Sequence, residues 1–237
     1  QSEKDQRPGL QQTGKYVCSE ITIQQDNEYR GANYLLALLV VILQAITLLA
    51  TVIGSRSGGC DGGMKKVILS LALGTFGLGM AEFGIMGVLT ELAHNVGISI
   101  PAAGHMISYY ALGVVVGAPI IALFSSRYSL KHILLFLVAL CVIGNAMFTL
   151  SSSYLMLAIG RLVSGFPHGA FFGVGAIVLS KIIKPGKVTA AVAGMVSGMT
   201  VANLLGIPLG TYLSQEFSWR YTFLLIAVFN IAVMASV

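Results

Sequence analysis

Charge is scarce in this sequence. Of its 237 residues, 14 are Lys or Arg and 9 are Asp or Glu, so 10% are charged, against roughly 25% in an ordinary soluble domain. A soluble all-helical bundle is excluded, because several apolar runs reach about 20 residues, enough to cross a hydrocarbon core of roughly 30 Å. Cysteine is scarce too. Cys18, Cys60 and Cys141 share no metal-ligand spacing, so neither a zinc site nor a disulfide framework follows, and Cys141, inside an apolar run, reads as a small hydrophobe. Strict polar–apolar alternation is missing, which argues against a transmembrane barrel. Also missing are a phosphate-cradling glycine loop and a Gly-x-Ser-x-Gly, His-Glu-x-x-His or paired-aspartate signature. A nucleotide-driven pump and an intramembrane enzyme are both disfavoured, and no cofactor is implied. The net charge of +5 sits in a few loops, where it records membrane orientation and implies no nucleic-acid partner.

What the chain does have is apolar length: 56% of its residues are hydrophobic and its mean hydropathy is +0.84. Residues 1–32 stand apart, with nine charged residues and many glutamines, and read as a polar extracytoplasmic segment, disordered by default. Residues 33–54, NYLLALLVVILQAITLLATVIG, form a single apolar span expected to cross the bilayer once. Residues 55–63, SRSGGCDGG, read as a glycine-rich linker. Met64 followed by Lys65, Lys66 and an apolar run then has the form of a natural N-terminus. Residues 1–63 are therefore expected to be a foreign single-span segment fused to a second, complete beginning.

From Met64 onward six further spans can be drawn, at about 67–90, 102–125, 132–151, 154–181, 189–213 and 220 to the end. The fold class is all-α: a multi-span membrane protein with a six-helix bundle preceded by one extra transmembrane helix. Arg56, Lys65 and Lys66 precede the first of the six, Arg127 and Lys131 lie between the second and third, and Lys181, Lys184 and Lys187 between the fourth and fifth. The opposite loops hold only Arg220. The positive-inside rule makes the lysine-rich loops, including residues 55–66, cytoplasmic and puts residues 1–32 outside. Lys184-Pro185-Gly186-Lys187 reads as a tight turn, with proline fixing one dihedral and glycine permitting the next.

The fourth span carries RLVSGFPHGAFFGVG over 161–175. An arginine near mid-span costs roughly 2.5–3.5 kcal/mol, so it is expected to face protein or a wet cavity. Gly165, Gly169 and Gly173 recur every fourth residue beside it, a ridge that lets another helix approach. A plain packing face with Arg161 snorkelling outward is the alternative. At about 1.5 Å per helical residue, Arg161 lies roughly 10 Å and Glu82 roughly 13 Å from the outer side, at similar depth. Asn145 and Asn203 read as interhelical hydrogen-bond formers. Tyr109, Tyr110, Phe171 and Phe172 read as helix packing, with the floor of a small-molecule pocket as the other option.

These patterns resemble the major facilitator superfamily, in its sugar-efflux and drug:proton antiporter branch, over residues 64–237. In the first span GTFGLGMAEFGIMGVLTELA ends a glycine-rich face in Glu82-Phe83. GAPIIALFSSRYSLKHILL between the second and third spans keeps Gly117, Arg127 and Lys131 of the family's cytoplasmic gating loop. Ser126, Ser129 and Leu130 replace that loop's aspartate, glycine and basic residue, so its charge-relay lock is weakened or rebuilt. Arg161 with Gly165 resembles the family's proton-coupling arginine. GMVSGMTVANLLGIPLGTYL, with Gly194, Gly198, Gly206, Pro208 and Gly210, resembles the glycine–proline helix-packing motif of antiporters, and Trp219-Arg220 opening the last span is also family-like.

The resemblance implies the N-terminal half of a proton-coupled efflux transporter for sugars or small drug-like molecules, multi-pass in a bacterial inner (plasma) membrane. Its partners would be the lipid bilayer, protons, the small-molecule substrate and a C-terminal six-helix half, without which alternating access is not expected. It makes the first and fourth helices cavity-lining neighbours, so Glu82 is expected to pair with Arg161 until substrate displaces the arginine. His105 and His168 are further proton-route candidates. The competing reading is a non-transporting structural or interaction protein, a chimera of one span and a membrane scaffold.

Overall fold

A computed structural model describes residues 59–125 and 127–236. The polar segment 1–32, the extra span 33–54 and the linker up to residue 58 lie outside the described residues. All elements among the described residues are helices: α1 (Gly59–Val96), α2 (Ile100–Ser125), α3 (Leu130–Leu150), α4 (Tyr154–Ile182), α5 (Val188–Glu216) and α6 (Trp219–Ser236). All six are long and apolar enough to cross a membrane. The chain is a multi-pass membrane protein, its six apolar helices each satisfying their own backbone groups where water is absent.

The helix ends follow local chemistry. Residues 59–63, which composition placed in the linker, already belong to α1; a helix once nucleated gains one backbone bond per added residue, and that offsets the poor propensity of glycine. At its other end α1 outruns the apolar run and closes at Gly97, whose φ of 72° only glycine adopts without strain. There the amides of Gly97 and Ile98 donate back to the carbonyls of His94 and Ala93, the paired bonds of a Schellman motif. Between α4 and α5, Gly186 has φ 90° and the Lys187 amide donates to the Lys184 carbonyl at 3.1 Å, the proline–glycine turn expected from sequence. Helices α2, α4 and α5 run on through Pro119, Pro167 and Pro208.

Helix α1 is the hub. It touches all five others, and 67% of its membrane-length stretch is buried, against 22% for α2 and for α5. Two glycine-lubricated crossings set the frame. Along α1 and α5, a Cβ on Gly198 would sit 2.0 Å from the Ala72 carbonyl oxygen, and one on Gly210 would sit 2.6 Å from that of Gly84. Gly206 lies against Phe83 and Gly194 against Ile68, so four glycines of the α5 motif face α1. Along α2 and α4, Gly117 meets the Phe166 carbonyl and Gly165 the Tyr110 carbonyl at 2.0 and 2.2 Å from the added carbon. Gly169 packs on Val114 and Ala118, whereas Gly173 has open space where its side chain would be. The ridge expected at 165, 169 and 173 thus carries a helix over its first two positions only. Helix α3 packs between α4 and α6, and α6 returns to α1.

Candidate functional site

The crossings decide where the few polar side chains go. Tyr110, Gly113 and Gly117 share one face of α2, three and seven residues apart, and the glycines press that face onto α4. Tyr110 is thereby driven inward. On α4, Arg161 and His168 are seven residues apart and share a face, and both are buried.

Arg161 is 1% exposed, which removes the outward-snorkelling alternative. Its Nη1 donates to the carbonyl of Ala81 on α1 at 2.7 Å, and its Nε to the carbonyl of Met106 on α2 at 3.3 Å. A carbonyl in a helix keeps a second lone pair after accepting its intrahelical bond, so the guanidinium can use both without unwinding either helix. The cation lies 4.4 Å from the ring centre of Tyr110, with Phe148 of α3 and Phe223 of α6 at 5.6 and 5.7 Å. Such contacts contribute about 0.5–2 kcal/mol each when desolvated. One side chain thus joins five helices.

The expected Glu82–Arg161 ion pair is not made. Carbonyl dipoles meet Nε and Nη1 of Arg161, aromatic faces flank the cation, Nη2 has no hydrogen-bond partner, and no ion pair joins the guanidinium to a carboxylate among the described residues. Glu82 instead turns to His168, with Oε2 3.6 Å from Nε2. The two are unequally enclosed: 32% of the Glu82 side chain is exposed and 6% of that of His168. The other ring nitrogen of His168, Nδ1, is 2.7 Å from the Tyr110 hydroxyl, which lies 3.3 Å from the Leu78 carbonyl of α1. The His168 ring also stacks on Phe172. The result is a hydrogen-bonded chain, His168–Tyr110–Leu78, with the Glu82 carboxyl beside its histidine but beyond hydrogen-bond distance, and its tyrosine ring is the same one that carries Arg161. Displacement of Arg161 by substrate, the mechanism expected from sequence, does not fit an arginine this enclosed.

Chemically the chain can hold a proton and shift it. If the Tyr110 hydroxyl donates to Leu78, it accepts from His168 Nδ1–H, and the free Nε2 lone pair faces Glu82, whose neutral carboxyl could donate to it only by closing the 3.6 Å gap. If Tyr110 donates to Nδ1 instead, Nε2–H faces the carboxylate. The two arrangements differ by one proton on Glu82, by the tautomer of His168 and by one hydroxyl rotation.

The remaining candidates lie elsewhere. His105 is exposed, with Nδ1 3.1 Å from the Tyr154 hydroxyl, which is 3.4 Å from that of Tyr109; this is a separate polar cluster. Gly117 belongs to the α2–α4 crossing, while Arg127 and Lys131 are exposed around the α2–α3 turn. Ser126 lies outside the described residues, and Ser129 pairs with His132. Phe171 is core and Asn203 is exposed on α5. Asn145 donates to Cys141 of its own helix at 2.8 Å rather than across an interface.

With this geometry in place, similarity to known proteins decides the family. Residues 71–237 match the description Major Facilitator Superfamily. The chain belongs to that superfamily. It is 41% identical over 169 residues to the inner membrane transport protein YdhP of Escherichia coli (strain K12), covering 71% of this chain and 43% of the relative. It is 37% identical over 164 residues to an uncharacterized MFS-type transporter, YtbD, of Bacillus subtilis (strain 168), covering 69% and 41%. It is 28% identical over 165 residues to a chloramphenicol resistance protein of Streptomyces lividans, covering 70% and 42%. The chain spans under half the length of these relatives. Membership of a transporter family points away from an enzyme.

Proposed function

We propose that residues 64–237 are the N-terminal half of a proton-coupled secondary transporter of a bacterial inner membrane, exporting small drug-like or sugar molecules, with Glu82 as the proton-carrying group. The observation that carries this reading is the Glu82–His168 contact at 3.6 Å, made by a carboxyl still 32% exposed. A carboxyl open on one side and linked to a histidine on the other can exchange a proton with water while reporting its state to the protein interior. Names among the relatives, an inner membrane transport protein and a chloramphenicol resistance protein, favour efflux of small molecules over other cargo.

In this scheme Arg161 is not a movable ligand. It is a fixed positive charge, held by Ala81 and Met106, against which Glu82 changes state. His168 passes that change to Tyr110, and Tyr110 to the ring face on which Arg161 rests. His105 has no part in the chain. Substrate would occupy the space onto which Glu82 opens, closed on its far side by the C-terminal six helices.

The test is flux in proteoliposomes under an imposed pH gradient, with the transporter assembled from this half and a C-terminal half. Glu82→Gln is expected to abolish proton-driven accumulation while leaving downhill exchange of substrate. Undiminished proton coupling in that variant would remove Glu82 from the mechanism. Absence of flux from the assembled wild type would favour the non-transporting scaffold.

A further inference from the structure

At the opposite end of α1 from Glu91, Lys66 of α1, Lys131 of α3 and Lys181 of α4 line one cavity of about 310 Å³. Three cations from three helices converge on it, and no carboxylate pairs with any of them among the described residues. The walls between them are apolar, with Leu71, Leu134 and Val178 among the lining residues. A second source of positive potential is present. Leu130 and Lys131, which also line the cavity, are the first two residues of α3, and the N-cap Ser129 makes no side-chain bond to that helix's opening amides. The 21-residue α3 therefore presents an uncapped, partially positive N-terminus to the same space.

We propose that this cavity binds the phosphate headgroup of an anionic phospholipid, with the start of an acyl chain on its apolar wall. Charge complementarity calls for an anion. The apolar lining calls for a ligand that also brings hydrocarbon, which inorganic phosphate does not. Position agrees, because the lysines sit near the ends of three membrane-length helices, the level at which lipid headgroups lie. Lysine stems can lie along the wall while their ammonium groups meet the phosphate. The site is independent of the proton-coupling reading and does not depend on which leaflet it faces.

The experiment uses the full chain in an uncharged detergent, titrated with dioleoylphosphatidylglycerol and with dioleoylphosphatidylcholine, bound lipid being read by native mass spectrometry. Phosphatidylglycerol is expected to bind at least about tenfold more tightly, since each lysine near an anionic headgroup contributes about fivefold. The combined Lys66→Gln, Lys131→Gln and Lys181→Gln variant should lose on the order of 100-fold. Lys184→Gln with Lys187→Gln, which removes charge from the nearby turn but not from the cavity, should bind as the wild type does. Equal loss in both variants would mean diffuse surface attraction and overturn the site. Displacement of the lipid by inorganic phosphate beyond that caused by sodium chloride at the same ionic strength would mean a free-anion site and overturn the lipid assignment. Wild-type protein alone gives a check that needs no variant: the preference for phosphatidylglycerol over phosphatidylcholine must exist and must weaken with added salt, and its absence refutes the proposal.

Discussion

Replacing Arg161 by lysine is expected to destabilise the bundle more than replacing it by methionine. The guanidinium makes two charge-assisted bonds to different helices, at 2.7 Å to Ala81 and 3.3 Å to Met106. Bonds to charged groups contribute about 1.5–3 kcal/mol each, with the longer one at the weak end. Against them stands the cost of a charge in the apolar layer, about 2.5–3.5 kcal/mol. Methionine removes both sides of that balance. It keeps an unbranched stem in contact with Tyr110, Phe148 and Phe223, and both carbonyls retain their own helical partners, so the net loss is about 1–2 kcal/mol. Lysine keeps the full cost of a buried charge but lacks the planar fork. It can reach one carbonyl, loses the guanidinium's contact with the Tyr110 ring, and leaves two ammonium protons unpaired where the guanidinium leaves only Nη2 without a partner, for a loss of about 2–4 kcal/mol. The assay is thermal unfolding in detergent, followed by circular dichroism. At about 2–4 °C per kcal/mol for a chain of this size, Arg161→Lys should melt several degrees below Arg161→Met, and both below wild type. A lysine variant as stable as wild type, with the methionine variant clearly weaker, would show that charge alone matters and refute the two-carbonyl account.

Two further outcomes follow from the packing. Gly198→Ala places a carbon 2.0 Å from the Ala72 carbonyl oxygen, whereas Gly104→Ala meets nothing within 4 Å; the first should cost about 3 kcal/mol or prevent assembly, the second should be neutral or slightly stabilising, and equal melting temperatures would contradict the α1–α5 contact. Tyr110→Phe keeps the ring under Arg161 but removes the hydroxyl between His168 and Leu78, which should cost about 1–3 kcal/mol in thermal stability; an unchanged midpoint would mean that the His168 bond is not made in the membrane.

The helices were legible because lipid imposes one rule on every residue: length and apolarity decide which segments span. Sequence boundaries such as 154–181 for Tyr154–Ile182 therefore fell within a few residues. The first helix overran its expected end because Glu91, His94 and Asn95 are polar yet helical, and polarity marks the edge of the membrane, not of the helix. Asn95 in fact donates back to Glu91 one turn earlier. The site was half legible. Depth arithmetic brought Glu82 and Arg161 to one level, but depth says nothing about azimuth, and it is azimuth that gives Arg161 the Ala81 carbonyl and leaves the neighbouring Glu82 to His168. Backbone carbonyls have no sequence signature, so an arginine's carbonyl partners cannot be read from side-chain identities. Tyr110 did carry a usable signal: it lies on the same face as Gly113 and Gly117, and a glycine face in a membrane helix marks the side against which a neighbour packs.

The adjacency of Ala81 and Glu82 has a mechanical consequence for the proposed coupling. Any rotation or slide of α1 that carries Glu82 away from His168 also carries the Ala81 carbonyl away from Arg161, because consecutive residues of a helix move together. The charge-assisted bond at 2.7 Å resists that motion with about 1.5–3 kcal/mol, the same size as a typical coupling free energy between linked sites, about 1–3 kcal/mol. A proton arriving at Glu82 changes the Glu82–His168 contact and leaves the Ala81–Arg161 bond as it was. In the proposed scheme the two contacts would divide the work: one responds to protonation, and the other sets how much helix movement that response must overcome. In the proposed coupling Arg161 would then act as the anchor of α1, without ever having to touch a proton or a substrate.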